Sequence, residues 1–368
     1  MIIIKTIIAK ISKEDKLRGS YIQDDKIFFI FAKNLYNYPA EYKINKVEIM
    51  GSFTGWKERW ELKEFDNDIW LLEKDLAEVN IPGNSGEPEF KFILNQDNII
   101  SPPEELDLEY KFFDGHSNDF KNIILFDESN KEKIKTINQK ITTYRINYES
   151  NQQLANFREI TLGNIANNNL YRSYHPFIKS REDHPLEDKR LATVQQLMMD
   201  NNINSVINLS DRREEITDGT KPYHNLIAED NILLTNQHRS YDLFYYISGQ
   251  DEFTELLNEI ISFIINPQNQ TPFLIHCRIG TDRTGVLTAI IAAFMGANWE
   301  EIANDYEESN QLGIREYRDR KLLRYTFEKL VGQSFNNRNL AQLVNQYFDS
   351  QLDFKQQDLQ KLKDKLST

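Results

Sequence analysis

Residues 272–295, PFLIHCRIGTDRTGVLTAIIAAFM, limit the folds open to this chain of 368 residues more than any other stretch. The segment begins as a short strand with no polar face and ends as a helix apolar on most sides. A strand buried on both faces belongs to a helix-covered sheet, and such a helix belongs at the centre of the packing. Between them, HCRIGTDR must turn tightly enough for the helix to fold back onto the strand. The same alternation precedes it. LATVQQLMMDN (191–201) has helical apolar spacing, SVINL (205–209) reads as a buried strand, and 252–265 is a second helix. Helix-then-strand alternation predicts an α/β (α+β) domain whose central, mostly parallel sheet is flanked by helices. Downstream, 299–309, 315–330 and 339–366 read as helices, the last ending in the charged run FKQQDLQKLKDKL.

Residues 21–126 carry another pattern. Segments 26–32, 46–50, 68–72 and 89–94 are rich in Ile, Phe and Val, and turn-forming clusters such as 64–67 and 82–88 separate them. Short strands with Gly/Pro turns predict a small immunoglobulin-like β-sandwich. The stretch 128–156 has neither Gly nor Pro and is rich in Lys, Asn, Gln and Ser, the composition of a linker. The expected division is therefore a β-sandwich at 1–127, a linker at 128–156, the α/β domain at 157–350 and a charged C-terminal helix at 351–368.

Charge and cysteine usage narrow the partners. The formal net charge of -13 repels nucleic acid and anionic lipid surfaces, so neither is an expected partner. No run of about 20 apolar residues predicts a membrane span. The opening MIIIKTIIAKIS is broken by Lys5 and Lys10 and reads as a strand, not a signal peptide. A single cysteine, Cys277, excludes an internal disulfide and fits a reducing, cytoplasmic setting. A zinc site at His276-Cys277 fails, because adjacent residues rarely chelate one ion and there is no second cysteine. No metal or cofactor is expected.

Cys277 and Arg283 bracket five residues, Arg278, Ile279, Gly280, Thr281 and Asp282. Five residues are enough to curl the backbone so that successive N–H groups point inward, an anion-binding nest. The following helix adds its positive N-terminal end. A sulfur at the centre of that field is favoured as the thiolate nucleophile. Arg283 offers a planar fork to two oxygens of a tetrahedral anion. Gly280 and Gly285 allow a tight backbone, and the Thr284 hydroxyl is suited to hydrogen-bond a departing sulfur. His276 is expected to orient the loop through backbone hydrogen bonds rather than act as a base.

HCRIGTDRTG resembles the catalytic loop of the protein tyrosine and dual-specificity phosphatase superfamily. With FREITLGNIANNNLYRS (157–173), NSVINLSD (204–211) and MGANWEEIANDYEESN (295–310), it resembles the bacterial tyrosine phosphatases that carry Asp inside the loop. The likeness spans roughly residues 157–317. It implies a phosphocysteine intermediate on Cys277, phosphate binding by Arg283 and by the loop 278–283, and Asp282 as an in-loop acid. The position before that Asp is commonly Lys in this group and in phosphoinositide phosphatases; here it is Thr281, with Arg278 as a partial substitute. Asp242 is the rival acid, 35 residues ahead of the cysteine, where other superfamily members place theirs on a mobile loop. Asp282 is the favoured choice of the two. Asp211 reads as a turn residue that also faces the site, and Arg158 and Arg172 read as braces paired to carboxylates.

KVEIMGSFTGW (46–56), EFKFILNQDN (89–98) and NDFKNIIL (118–125) resemble in order the glycogen-binding modules of branching enzymes and of the AMP-activated kinase β-subunit. In such modules aromatic faces stack on sugar rings and polar groups bind their hydroxyls. Trp56, Lys91 and Asn122 fall at matching positions. The second platform Trp expected near Asn98 is missing, and Trp60 is the alternative ring. The expected activity is hydrolysis of phosphate monoesters on a phosphorylated protein, at tyrosine or with dual specificity. Alternatives are phosphorylated glucan, with a glycogen- or starch-type polysaccharide as partner, and inositol phosphate. An idle glycan- or protein-binding adaptor is the reading of another class.

Overall fold

The computed structural model describes residues 11–38, 42–66, 68–95, 97–115, 117–125, 128–211, 231–235 and 244–368. Asp242 and the expected opening strand within 1–10 lie outside the described residues. The chain divides into two compact units, Met1–Tyr144 with Gly313–Leu322, and Arg145–Leu312 with Leu323–Thr368.

The first unit is β-rich. After helix α1 (Lys13–Arg18), its strands are β1 (Ser20–Gln23), β2 (Lys26–Ala32), β3 (Val47–Gly51), β4 (Trp60–Asp66), β5 (Ile69–Asp75), β6 (Glu89–Leu94), β7 (Asn98–Ile99), β8 (Lys111–Asp114) and β9 (Asp119–Ile124), with the short helix α2 (Leu76–Val79) following β5. Eight of them form one antiparallel path, β1-β2-β5-β4-β3-β6-β9-β8, and β7 pairs with β6 beside it. Strand β4 joins its two halves: Trp60 and Leu62 pair with β3, and Lys63 onward with β5. Alternate residues from both halves meet in one core, among them Phe29 and Phe31 of β2, Ile49 of β3, and Phe90 and Phe92 of β6. The rings cross edge-on there, Phe90 and Phe92 at 5.4 Å between centroids, the geometry their quadrupoles favour. Residues 64–66 were expected in a turn but continue β4. Glu64 is exposed, while Phe65 packs on the cluster of Phe28, Ile30 and Leu71, and Leu62 is buried in the main core.

Helix α3 (Lys131–Ile141) occupies part of the stretch expected as a linker. Its Ile134, Ile137 and Ile141 share one helical face and pack with Phe112, Phe113 and Ile124. Asn138 on that face is fully buried. Its amide donates to the carbonyls of Leu108 and Lys111, each at 2.7 Å, and its oxygen accepts the Phe113 N–H at 3.2 Å. The segment Gly313–Leu322 belongs to this unit too: Asp319 N–H bonds to the Asn84 carbonyl at 2.9 Å, and Lys321 pairs with Glu87 at 2.6 Å.

The second unit contains α4 (Asn151–Ala155), β10 (Arg158–Glu159), β11 (Leu170–Ser173), α5 (Glu187–Asp200), β12 (Ser205–Asn208), β13 (Ile232–Leu234), α6 (Phe244–Ile247), α7 (Asp251–Ile265), β14 (Phe273–His276), α8 (Asp282–Phe294), α9 (Trp299–Glu308), α10 (Arg320–Val331), α11 (Leu340–Gln351) and α12 (Gln356–Ser367). Helix α10 begins within the segment assigned to the first unit. The sheet order is β10-β11-β14-β12-β13. Strand β10 is antiparallel to β11, whereas β11–β14, β14–β12 and β12–β13 are parallel. The helical stretch 339–366 consists of two helices, separated by Leu352 in an extended conformation, with α12 inside the segment 351–368 expected as a charged C-terminal helix. The charged α12 buries Leu359, Leu362 and Leu366 along one face.

Register positions the site. Ser173 and Asn208 both lie level with His276, so β11, β12 and β14 end at one edge. Ligands of parallel sheets bind at the carboxyl ends of their strands. Every residue of α8 from Arg283 to Phe294 is buried, as its missing polar face requires.

Replacing Asn138 by Ala strips three buried hydrogen bonds between α3 and the β8 region. It is expected to lower the stability of the first unit by about 2–3 kcal/mol in urea titrations.

Candidate active site

The turn after β14 runs from Cys277 to Thr281, and α8 starts at Asp282. Each carbonyl of the turn's tip faces away from its centre and is held there. The Arg278 carbonyl accepts the His175 N–H and the Ser180 hydroxyl, each at 3.2 Å. The Ile279 carbonyl accepts the Asn156 amide at 3.1 Å, and the Gly280 carbonyl accepts Nη2 of Arg172 at 2.8 Å. The Thr281 carbonyl accepts the Gly285 N–H at 2.9 Å, closing the first turn of α8. Carbonyls turned out leave the N–H groups of the same peptides turned in. Among the described residues, those of Ile279, Gly280 and Thr281 meet no protein acceptor.

Gly280 makes this curl feasible. Its φ is +71°, and a Cβ there would collide with the Ser173 carbonyl oxygen. Gly285 has a different reason: a Cβ would lie 2.8 Å from the Tyr306 ring, so its absence lets that ring close on α8. Cys277 sits at the mouth of the curl, 1% exposed. Arg283 sends Nη1 to the Leu209 carbonyl at 2.6 Å, which fixes its guanidinium over the end of β12. The buried Oγ1 of Thr284 has no protein partner among the described residues. Ile279 and Thr281 are buried in the turn.

Arg172 is the principal brace. It is wholly buried, and Nη1 reaches Asp305 at 2.6 Å while Nη2 holds Gly280. Arg158 binds the other oxygen of Asp305 at 2.6 Å. Burial and the neighbouring Arg158 pull the Arg172 guanidinium down to about 10, still cationic at neutral pH. Burial opposes the charge of Asp305 as well, but the two guanidinium groups hold it below the ordinary carboxylate range. Both arginines are thus paired to a carboxylate, as expected from sequence.

A second buried pair stands behind Arg278. His175 accepts the N–H groups of Phe177 and Ile178 at Nδ1, each at 3.0 Å. Its proton is therefore on Nε2, donated to Asp211 Oδ2 at 2.7 Å. Burial lowers the proton affinity of this ring, which keeps it neutral. Although burial opposes its charge, Asp211 is held well below the carboxylate range by the His175 hydrogen bond and by Asn208. Its Oδ1 lies 3.4 Å from Nη2 of the half-exposed Arg278. His276 packs edge-on against His175 at 4.7 Å between centroids, and burial holds it well below its usual range. That suits an uncharged spacer, and its Nδ1 lies 3.3 Å from the Cys277 carbonyl. Sequence reading missed His175, Asn156 and Ser180. Only the polar residues trailing the strand in LYRSYH hinted at the first of them.

Asp282 accepts the Tyr245 hydroxyl at Oδ1, 2.8 Å away, and the two phenols of Tyr245 and Tyr306 are 2.7 Å apart. The rival Asp242 lies outside the described residues.

Of the four sugar-site candidates in the first unit, two meet. Lys91 Nζ lies 5.1 Å from the ring centroid of the half-buried Trp56. Trp60 instead stacks on Phe53 at 5.0 Å, with Lys74 over its ring at 4.1 Å. Asn122 is buried and donates to Glu89 at 2.8 Å. Among the described residues, no group of His, Cys, Asp and Glu is arranged to hold a metal ion, and no helix is long and apolar enough to cross a membrane.

Residues 150–368 match the model of the family described as "Tyrosine phosphatase family". Among solved structures, the chain is similar to the core catalytic domain of the PP-IP phosphatase SIW14 from S. cerevisiae, in complex with citrate. That similarity is 19% in identity, covers 53% of this chain and 86% of that one, and has a TM-score of 0.27. No match is found among curated proteins.

Substituting Gly280 by Ala forces a Cβ onto the Ser173 carbonyl at a left-handed φ. Vanadate affinity, measured by titration, is expected to fall at least about 100-fold, with the fold kept by circular dichroism.

Proposed function

This chain belongs to the tyrosine phosphatase family and is a cysteine-dependent phosphoric monoester hydrolase; from that premise we propose that its substrate is a phosphorylated protein, cleaved at phosphotyrosine or with dual specificity. The observation that carries this reading is the turn 277–283, whose outward carbonyls leave a ring of amides around a buried thiol. A phosphate dianion fits that ring, with the Arg283 fork on two of its oxygens. The Cys277 sulfur attacks phosphorus in line with the ester oxygen. The P–O bond breaks as the S–P bond forms, and the leaving phenol or alcohol takes a proton from Asp282. In the second step Asp282 takes a proton from water, whose oxygen attacks phosphorus. The S–P bond breaks, phosphate leaves, and the Thr284 hydroxyl, which has no protein partner among the described residues, hydrogen-bonds the returning thiolate. No metal or cofactor enters either step. His276 and the His175–Asp211 pair hold the loop, and Arg278 adds a cation at its rim.

We read the first unit as an immunoglobulin-like sandwich of the glycogen-binding type. Its antiparallel strands and the Trp56–Lys91 pair support that reading, and with it a second one, in which the substrate is phosphorylated glucan. Inositol phosphate is a weaker choice, because Thr281 replaces the lysine that such substrates favour.

The test compares para-nitrophenyl phosphate, phosphotyrosine and phosphoserine peptides, phosphorylated glucan and inositol phosphates as substrates. Phosphotyrosine peptide is expected to be hydrolysed with the highest kcat/KM, and Cys277→Ser to lose at least about 10⁴-fold in kcat on every substrate. Glucan as the best substrate, with the preference lost in Trp56→Ala, would move the assignment to the second reading. No turnover of any of these substrates by the parent protein would make it an idle adaptor, and turnover unchanged in Cys277→Ser would remove the cysteine from the chemistry.

A further inference from the structure

The loop carboxylate of Asp282 has a neighbour that the two-step chemistry does not use. Tyr245, on α6, donates its hydroxyl proton to Oδ1 of Asp282 at 2.8 Å. Having given that proton, it is the acceptor in its 2.7 Å contact with Tyr306. The order of donation is therefore Tyr306 to Tyr245 to Asp282, from α9 through α6 to the start of α8. Both phenols are buried, with Tyr306 1% and Tyr245 4% exposed. Buried hydrogen bonds in series polarise one another and hold their members in one geometry. Gly285 secures the arrangement, since any side chain there would push the Tyr306 ring off α8.

We infer that Tyr245 is a positioning residue for the acid–base step, holding Asp282 by one oxygen in a single rotamer, with Tyr306 fixing Tyr245 in turn. This rests on reading Asp282 as the acid. A carboxyl that gives a proton to the leaving group and then takes one from water must stay in place between the two events. A phenol bound to Oδ1 keeps it there. The same hydrogen bond favours the ionised carboxylate. The titratable and charged groups brought to this end of α8 by the described elements are Cys277 and Arg283 on the loop, Arg172 from β11, Asp305 and Tyr306 from α9, and Tyr245 from α6. Tyr245 reaches Asp282 through a neutral hydrogen bond and Tyr306 reaches Tyr245 through another, so removal of either hydroxyl leaves the formal charge of the site unchanged.

The experiment is the pH profile of kcat for para-nitrophenyl phosphate and for a phosphotyrosine peptide in the full chain, Tyr245→Phe, Tyr306→Phe and Asp282→Asn. An acid works protonated, so the rate falls above its pKa. Loss of the Tyr245 hydroxyl raises the proton affinity of Asp282 and moves the alkaline limb up by about one pH unit. Tyr306→Phe moves it the same way by less, and it stands in for the first variant should that one fail to fold. In both, kcat at the optimum falls about tenfold on the peptide, while vanadate affinity stays within about twofold of the parent protein because the phosphate ring is untouched. An alkaline limb unmoved in Tyr245→Phe, yet abolished in Asp282→Asn, overturns the positioning role and leaves Asp282 as the acid. A limb that survives in Asp282→Asn overturns both.

Discussion

The hydrogen bond from Arg172 to the Gly280 carbonyl sets the polarity of the phosphate turn. A peptide has one donor and one acceptor on opposite sides, so pinning the carbonyl outward obliges the amide to face in. Arg172 is fully buried, and an unpaired guanidinium there would be costly. Asp305, Thr288 and Ser309 accept from its Nη groups, so the charged fork is held before it touches the loop, while Nε has no partner among the described residues. Arg158 then shares Asp305 and reaches back to Asn156, whose amide in turn holds the Ile279 carbonyl. The turn is thus clamped at two successive carbonyls by one network anchored in β10, β11 and α9. Its shape is set before any anion arrives, which is what electrostatic preorganisation requires.

Much of this was legible in the sequence, and the exceptions share a cause. Strand β14, the turn and α8 were readable because each has an unambiguous pattern: apolar on both faces, then polar with Gly280, then apolar all round. Strands β2 and β6 were readable for the same reason. Helix α3 was not, although Ile134, Ile137 and Ile141 stand at helical spacing, because the polar residues between them have the composition of a linker. That His175 was missed is a matter of register. His175 and Asp211 follow different strands, and only the parallel alignment of β11 and β12 on β14 brings their side chains within 2.7 Å. Tyr245 and Tyr306 likewise meet through helix packing, which no local spacing encodes. In the first unit the sequence named Trp60 and Asn122 by position. Their neighbours Phe53, Lys74 and Glu89 came into view only with the pairing of the strands.

Two buried carboxylates flank the turn with opposite tasks. Asp305 pairs with both Arg158 and Arg172, one negative charge between two positive ones. Asp211 stands behind Arg278, charged and backed by a neutral histidine. Two cations near the turn are thereby held to different degrees: Arg172 tightly, through a 2.6 Å contact, and Arg278 loosely, at 3.4 Å and half in solvent. The tight pair is structural, because separating buried partners would leave a bare charge. The loose pair joins a half-exposed guanidinium to a buried carboxylate at 3.4 Å, and Asp211 keeps its His175 and Asn208 hydrogen bonds when Arg278 turns to another anion. A second anionic group on a substrate thus competes for Arg278 and leaves the brace undisturbed.

The net charge of -13 bears on how a dianion reaches this site at all. At long range the protein repels it, so electrostatic steering by total charge works against association. Salt at physiological strength screens that repulsion beyond about 8 Å. Inside that distance the local charges decide: Arg278 and Arg283, the amides of the turn and the amino end of α8 all favour the anion, while Asp211 and Asp305 are already committed to their own cations. The attraction is therefore short in range and fixed in geometry. A substrate gains from it only once its phosphate is seated in the turn, so discrimination falls on the part of the molecule that must pass the rim where Arg278 stands.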